Sequence, residues 1–361
     1  MDGCGRGYTA DYNHARLHVS WRILARHARS STATYRMSGN VAAIRDLSIR
    51  FDTQQGPVYP LRNVDVDVPR GQIVGIVGES GSGKSTLALA LMRLLPGNAV
   101  VTGGEVELLG KDLLKLPAEE MRGLRGTRLA MIFQDPMTSL NPVRSIGQQM
   151  LDIQYRSPAS RAEKIAKAAD ALKRVGIPDA REQLKRYPAE FSGGMRQRIC
   201  IAMSLLQKPE LLIADEITTA LDVTLEAQVL HLLRELRAEL KGSILFISHN
   251  LGAVAEICDR VVVLYAGEVV EQGPVFEIFD RPQHPYTRAL VECDPARIET
   301  TTRELPVIPG DVPNLRSIPR SCIFAARCAE VMEVCRRDRP PPTVIGKGHS
   351  ARCHLLEGVE S

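Results

Sequence analysis

Gly78-Glu79-Ser80-Gly81-Ser82-Gly83-Lys84-Ser85-Thr86 is a complete phosphate loop, G-x-x-x-x-G-K-S-T, a motif that joins a buried strand to a helix. The run before it, Gln72-Ile73-Val74-Gly75-Ile76-Val77, is short, apolar and rich in β-branched residues, as a buried parallel strand requires. The run after it, Leu87 to Leu95, is rich in Leu and Ala and holds neither Gly nor Pro, which predicts a helix. Strand, glycine-rich turn and helix N-terminus, in that order, aim backbone N–H groups and a positive helix end at one spot, and that spot attracts phosphate. Gly78, Gly81 and Gly83 let the backbone wrap a triphosphate, Lys84 reaches its β- and γ-phosphates, and Ser85 offers a hydroxyl to Mg²⁺. The alternative is a small-residue turn, which seldom comes with both this spacing and both flanking elements.

A chain of 361 residues can bury a large core and is expected to form one main domain with an appendage. A net charge of +4 on 46 basic and 42 acidic residues is close to balanced, which argues against a dedicated nucleic-acid binder. No apolar run approaches the roughly 18 residues needed to span a bilayer; Val261 to Gly267 is strand-sized. The first 36 residues carry Arg6, Arg16, Arg22, Arg26, Arg29 and Arg36 against Asp2 and Asp11 only. Such an acid-poor leader resembles an organelle transit peptide, whereas the plainer reading makes Met37 the true start and residues 1–36 an over-extended or disordered leader.

From there, Ile44 to Phe51 and Leu61 to Val68 read as two strands joined by a turn at Gly56-Pro57, with Val64, Val66 and Val68 alternating with polar residues. That predicts an antiparallel piece exposed on one face. Gly103 to Gly110 reads as another strand, and Arg128 to Phe133 as a buried one that runs into Gln134-Asp135-Pro136. Between about 145 and 187 the strand signal gives way to helix, with Ile165, Ala168, Ala169, Leu172 and Val175 on one face. The α/β rhythm returns with Leu211 to Ala214, an amphipathic helix at 224–240, Ile244 to Ile247 and Val261 to Tyr265. The fold class is therefore α/β: a mixed, mostly parallel sheet with an antiparallel β subdomain and a helical insertion. From about 291 the composition shifts to Pro, Arg and Cys, which predicts a small accessory region at 291–361.

A phosphate loop needs an acid to hold its metal, and Leu211-Leu212-Ile213-Ala214-Asp215-Glu216 supplies one at a strand end. Asp215 would hold Mg²⁺ through water and Glu216 would orient or deprotonate the attacking water. Phe191-Ser192-Gly193-Gly194-Met195 immediately precedes a helix; Ser192 is a natural cap, and this second helix N-terminus again favours an anion.

Together these motifs resemble the nucleotide-binding subunit of an ABC transporter: a Walker A loop at 78–86, a Q-loop at Gln134, a signature at 191–195, Walker B at 211–216, a D-loop at Ala220-Leu221-Asp222 and a switch at His249. More narrowly, Phe133 to Pro142, the Phe-Ser-Gly-Gly-Met form of the signature, and His284-Pro285-Tyr286-Thr287-Arg288-Ala289-Leu290 resemble the oligopeptide, dipeptide and nickel importer branch. The resemblance implies a P-loop ATPase domain at 37–290, with its helical subdomain at about 137–200, that pairs face to face with a second, identical or homologous, ATPase subunit. ATP then lies between the loop 78–86 of one subunit and Ser192, Gly193 and Gly194 of the other. It further implies that Gln134 touches Mg²⁺ and that His249 senses the γ-phosphate. Phe51 and Tyr59 are the candidates for stacking on adenine, with Phe51 the better fit to the family position.

The resemblance also implies two membrane permease subunits, an extracytoplasmic solute-binding protein and a place on the cytoplasmic face of a bacterial inner membrane. Peptide is the expected cargo; nickel, glutathione or another solute is the alternative. A non-transport ABC ATPase acting on ribosomes or DNA is a further one, as is a redox or metal sensor built on a cassette. Ile217, where the family usually has proline, and Asn250, where it usually has aspartate, are departures that remove no group touching phosphate or metal. In the tail, Cys322, Cys328, Cys335 and Cys353 are candidates for a [4Fe-4S] cluster, as in some members of the branch, with zinc and unligated thiols as alternatives.

Overall fold

The computed structural model describes residues 39–135, 139–219, 222–240, 242–294 and 306–356. The leader 1–36, Pro136-Met137-Thr138 of the Q-loop motif and Ala220-Leu221 of the D-loop lie outside the described residues.

Strands β1 (Asn40–Thr53) and β2 (Gly56–Pro69) form a hairpin. Thr53 faces Gly56 across it, so Gln54-Gln55 make the turn, ahead of the Gly56-Pro57 that the sequence suggests, and Gly56-Pro57 instead opens β2. The Thr53 hydroxyl donates to the Gly56 carbonyl at 2.6 Å and closes the turn. β3 (Ile73–Val77) is buried along its whole length and leads through the phosphate loop into α1 (Lys84–Leu91). β4 (Ala99–Leu108) and β5 (Lys111–Asp112) complete a four-stranded antiparallel sheet in the order β2-β1-β4-β5. Val64, Val66 and Val68 of β2 turn inward, as their alternation predicts.

A second, eight-stranded sheet carries the site. After α2 (Ala118–Leu124) come β6 (Leu129–Ile132), the helices α3 (Ile146–Ile153), α4 (Arg161–Arg174), α5 (Ala180–Gln183) and α6 (Gly193–Leu205), then β7 (Leu211–Asp215). α7 (Val223–Leu240), β8 (Ser243–Ile247), α8 (Leu251–Ile257), β9 (Arg260–Tyr265) and β10 (Glu268–Pro274) follow. β9, β3, β8, β7 and β6 lie side by side in that order and pair in parallel. Every residue of β3, β7 and β8 is buried, which accounts for the absence of polar alternation in these runs. Leu87 and Leu91 of α1 share one core with apolar residues of both sheets, and each buried leucine there contributes about 2 kcal/mol.

The helical insertion forms where the periodicity places it. α3 and α4 each begin with a capping box, Ser145 with Gln148 and Ser160 with Glu163. Ala168, Ala169, Leu172 and Val175 are buried, while Ile165, read as part of the same face, stays exposed. After α9 (Val275–Asp280) and α10 (Pro285–Glu292) the Cys-rich tail folds back on the main sheet. It contains α11 (Glu333–Arg337), β11 (Thr343–Gly346) and β12 (His349–Ala351), and β12 pairs with β10 through Glu271–Ala351 and Gln272–Ser350. Buried Glu271 ties the joint together, accepting from the backbone N–H groups of Gln283 and His284 and lying 2.8 Å from His349 Nε2.

Candidate active site

Four chain segments leave the carboxyl ends of adjacent parallel strands: the loop 78–86 after β3, Ser248-His249 after β8, Glu216 after β7, and Phe133-Gln134 after β6. In an open α/β sheet that edge is where ligands bind, so the strand order alone gathers residues that are far apart in sequence.

The loop is shaped by two close approaches. A Cβ on Gly78 would fall 2.0 Å from the Leu264 carbonyl, and one on Gly83, at φ +104°, would fall 2.5 Å from that of Pro60. Only glycine fits at either place. Lys84 is 5% exposed, and its ammonium donates to the carbonyls of Gly78 at 2.8 Å and Glu79 at 3.0 Å. Burial lowers its pKa, against the pull of the Glu216, Asp215 and Glu79 carboxylates. An ammonium has three N–H donors, so one remains to face a ligand. The buried Ser82 hydroxyl has no hydrogen-bond partner, and Gly83 at the cap position of α1 offers no side chain to the first N–H groups of the helix. A cradle with orphaned donors at a helix N-terminus fits a polyphosphate.

Beside it, the Ser85 hydroxyl lies 3.4 Å from Asp215 Oδ1. Burial raises the Asp215 pKa, and the neighbouring Glu216 charge adds to that, while the Ser85 bond opposes it. A hydroxyl and a buried carboxylate side by side are hard oxygen donors, which fit Mg²⁺. A divalent ion there would favour the ionised acid.

Glu216 is where the motifs converge. Gln134 Nε2 donates to its Oε2 at 2.7 Å, and His249 Nδ1 stands 3.7 Å from the same oxygen. Its backbone is left-handed, at φ +49°, a conformation that costs a non-glycine residue free energy. Two backbone contacts hold it: its N–H donates to the Ile247 carbonyl at 2.9 Å, and its own carbonyl accepts from the Thr219 hydroxyl at 2.6 Å. Ile217, next in the chain, is buried. Asn250 caps α8 by accepting from the Ala253 N–H and also donates to Glu226 at 2.9 Å, which an aspartate could not do.

At the other helix terminus, the Ser192 hydroxyl accepts from the Met195 N–H at 3.4 Å, the cap that the sequence predicts. Ser192 and Gly193 are exposed. Asp222 of the D-loop accepts from the Leu225 N–H at the start of α7. Of the two aromatic candidates, Phe51 packs against the core cluster, whereas Tyr59 precedes Pro60, whose carbonyl borders the phosphate loop.

Cys322, Cys328, Cys335 and Cys353 line one pocket with His284 and Phe324. The Cys322 N–H donates to the Cys335 carbonyl. Burial pushes the thiols up, Cys322 to about 11 and Cys328 and Cys353 in the same direction. Among the described residues no group of three or more His, Cys, Asp and Glu side chains is arranged to hold a metal ion. The shared pocket and all-sulfur donor set nonetheless have the softness that iron–sulfur clusters take.

Sequence reasoning missed the contacts between the tail and the loop. Arg327 forms a bidentate ion pair with Glu79, at 2.7 and 3.1 Å, across 248 positions of sequence. Tyr286 accepts from the Glu79 N–H at 3.0 Å through its hydroxyl. The His284-to-Leu290 run stood out only by resemblance, and no local signal joins Arg327 to Glu79.

The chain matches the family described as ABC transporter over residues 61–219 and the oligopeptide/dipeptide transporter C-terminal region over residues 270–335. It is 44% identical over 311 residues to the oligopeptide transport ATP-binding protein OppD of Salmonella typhimurium, covering 86% of this chain and 92% of that one. It is 45% identical over 320 residues to the dipeptide transport ATP-binding protein DppD of Bacillus subtilis, covering 88% and 95%. Among solved structures, the ATP-binding cassette MJ0796, a dimer bound to ADP and Pi in a post-hydrolysis state, superposes with a TM-score of 0.58 at 26% identity, over 65% of this chain and 98% of that one.

Proposed function

This chain belongs to the ABC transporter family of ATP-binding proteins, and on that premise we propose that it hydrolyses ATP to drive peptide uptake through membrane permease partners. The observation that carries the ATPase half is Glu216, held in a left-handed conformation between Gln134 and His249 and next to Asp215. In this reading the loop 78–86 binds the phosphates, Ser85, Asp215 and Gln134 serve Mg²⁺, and Glu216 acts on the attacking water. His249 reports the γ-phosphate. Phe51 or Tyr59, both half-buried, takes the adenine ring.

Ser192, Gly193 and Gly194 close over the ATP of a second subunit, identical or homologous. Closure then depends on the nucleotide, because ATP supplies contacts that only the closed state makes. Among the described residues no helix is long and apolar enough to cross a membrane; as the ATP-binding subunit of a transporter, the chain attaches in this reading through integral partners at the cytoplasmic face of a bacterial inner membrane. Peptide is favoured as cargo by the C-terminal region at 270–335 and by the relatives named for oligopeptide and dipeptide transport. The four tail thiols are proposed to hold a [4Fe-4S] cluster, which requires their deprotonation and supplies a rigid cross-link in a region with little apolar core. Anaerobic purification with iron and sulfide assays checks it; a colourless, iron-free and fully active protein overturns it.

The function is tested by peptide uptake in a strain lacking this chain. Uptake is restored by the wild-type chain and not by Lys84→Ala, and integral permeases co-purify with it. Restored nickel or glutathione uptake with no effect on peptides would overturn the cargo, and co-purification with ribosomes would overturn the transport reading.

A further inference from the structure

Glu79 is an odd residue to find where it sits. It lies between Gly78 and Ser80 in a loop built to receive a polyanion, and a bare carboxylate there would repel the phosphates. The structure supplies its counter-charge from the far end of the chain. The Arg327 side chain is 4% exposed and meets both Glu79 oxygens, with Nη1 on Oε2 at 2.7 Å and Nη2 on Oε1 at 3.1 Å. The guanidinium is itself immobilised: Nε donates to the Pro309 carbonyl, Nη2 to that of Ile308 and Nη1 to the Tyr265 hydroxyl, while its Cζ lies 5.7 Å from the Tyr265 ring centre. The hydrogen bond to Glu79, ahead of the opposing effect of burial, drives the Arg327 pKa further up, so the charge is permanent.

Two further contacts bring the same region to the nucleotide edge. The Tyr286 hydroxyl accepts from the Glu79 N–H, and the Leu315 carbonyl accepts from the N–H of Tyr59. Tyr286, Tyr265 and Phe324 pack as one aromatic group behind the pair, with ring centres 4.5 to 5.4 Å apart.

We propose that Arg327 is a positioning residue of the ATP site, neutralising Glu79 and fixing its carboxylate away from the phosphates, so that the C-terminal region sets the affinity of the loop for ATP. This rests on the reading of residues 78–86 as the phosphate site. A pure brace and a charge neutraliser differ in one respect. If Arg327 only ties the tail down, removing Glu79 as well gains nothing. If it neutralises Glu79, removing that carboxylate relieves the defect left by losing Arg327.

The experiment measures KM for ATP, kcat and melting temperature in the full chain for Arg327→Gln, Arg327→Lys and the double variant Glu79→Gln/Arg327→Gln, with Lys84→Ala as a control. Arg327→Gln should raise KM by about fivefold or more, in the range usual for coupling between sites, with a smaller change in kcat. Arg327→Lys should recover part of that loss, and the double variant should bind ATP better than Arg327→Gln alone. An unchanged KM in Arg327→Gln, or a double variant no better than the single one, overturns the proposal. Should Arg327→Gln fail to fold, the comparison passes to the double variant: a near-normal KM there supports neutralisation, and a KM raised about fivefold or more there overturns it. If Lys84→Ala leaves ATP binding intact, the phosphate-site reading itself has failed, which is a separate result.

Discussion

At the N-terminus of α1 the cap position is Gly83, no side chain satisfies the first N–H groups, and Lys84 and Ser82 keep donors in reserve. At the N-terminus of α6 the Ser192 hydroxyl already caps Met195, and Ser192 and Gly193 lie open to solvent. Both termini favour an anion. The first is enclosed by its own chain, with β3, Pro60, Leu264, Tyr286 of α10 and Arg327 of the tail packed around it. The second has only a cap. A helix end surrounded by its own fold can hold a ligand unaided, whereas an exposed one adds to affinity only when another surface presents the ligand to it. If the two ends form one composite site as proposed, the contrast divides the labour between them: the loop half is preorganised, and the signature half would act at closure.

The most severe way to probe that division is Glu216→Gln. Removing the acid from the loop half should slow hydrolysis by about a hundredfold or more while leaving ATP bound, so that gel filtration with ATP shows a trapped dimer. Unchanged steady-state turnover would rule out Glu216 as the catalytic residue. Ser192→Arg sharpens the comparison from the other side. It should lower turnover by about tenfold to a hundredfold and prevent the ATP-dependent dimer, yet leave ATP affinity of the isolated chain close to wild type. A matching loss of affinity in the isolated chain would mean that the two helix ends are not separable as described.

Acid should loosen the packing behind the loop half, where His284 caps α10 and Tyr286 of that helix meets Glu79. Burial lowers the pKa of His284 from an ordinary 6.5 to about 4, and its Nδ1 must stay unprotonated to accept from the Tyr286 N–H. The unfolded chain takes up a proton near 6.5 that the folded chain resists, so this stabilisation is whole above that pH and is lost as pH falls from about 6.5 toward 4. The loss amounts to about 3 kcal/mol. Melting temperature should therefore drop across that window in the wild type and be flatter in His284→Asn. The smallest effect is expected at Asn250→Asp, which keeps the cap of α8 but places a carboxylate against Glu226. It should cost about 1 kcal/mol by thermal melting, with turnover little changed.

Much of this was written in local pattern. Gly78 to Thr86, the Asp215-Glu216 pair and the Ser192 cap are each legible because backbone geometry demands those residue types within a few positions. The buried parallel strands were legible as uninterrupted apolar runs, and the helical insertion as a change of period. Local pattern misjudged the hairpin turn, where the glycine and proline signal lies beside Gln54-Gln55, because strand register and not turn propensity sets where the chain reverses. It also made the tail an appendage, although β12 extends the main sheet at β10.

Spacing within short stretches was enough for a P-loop α/β fold and a helical insertion, and the resemblance of the whole motif set pointed to an ATPase of the ABC type. That Gln134 and His249 both reach Glu216 depends on the order of β6, β7 and β8 in the sheet and is visible only in the folded chain. The tertiary structure alone also gave Glu79 its partner in Arg327. Long-range pairing depends on how the chain returns on itself, and charges so far apart in sequence carry no local mark of the contact they will make.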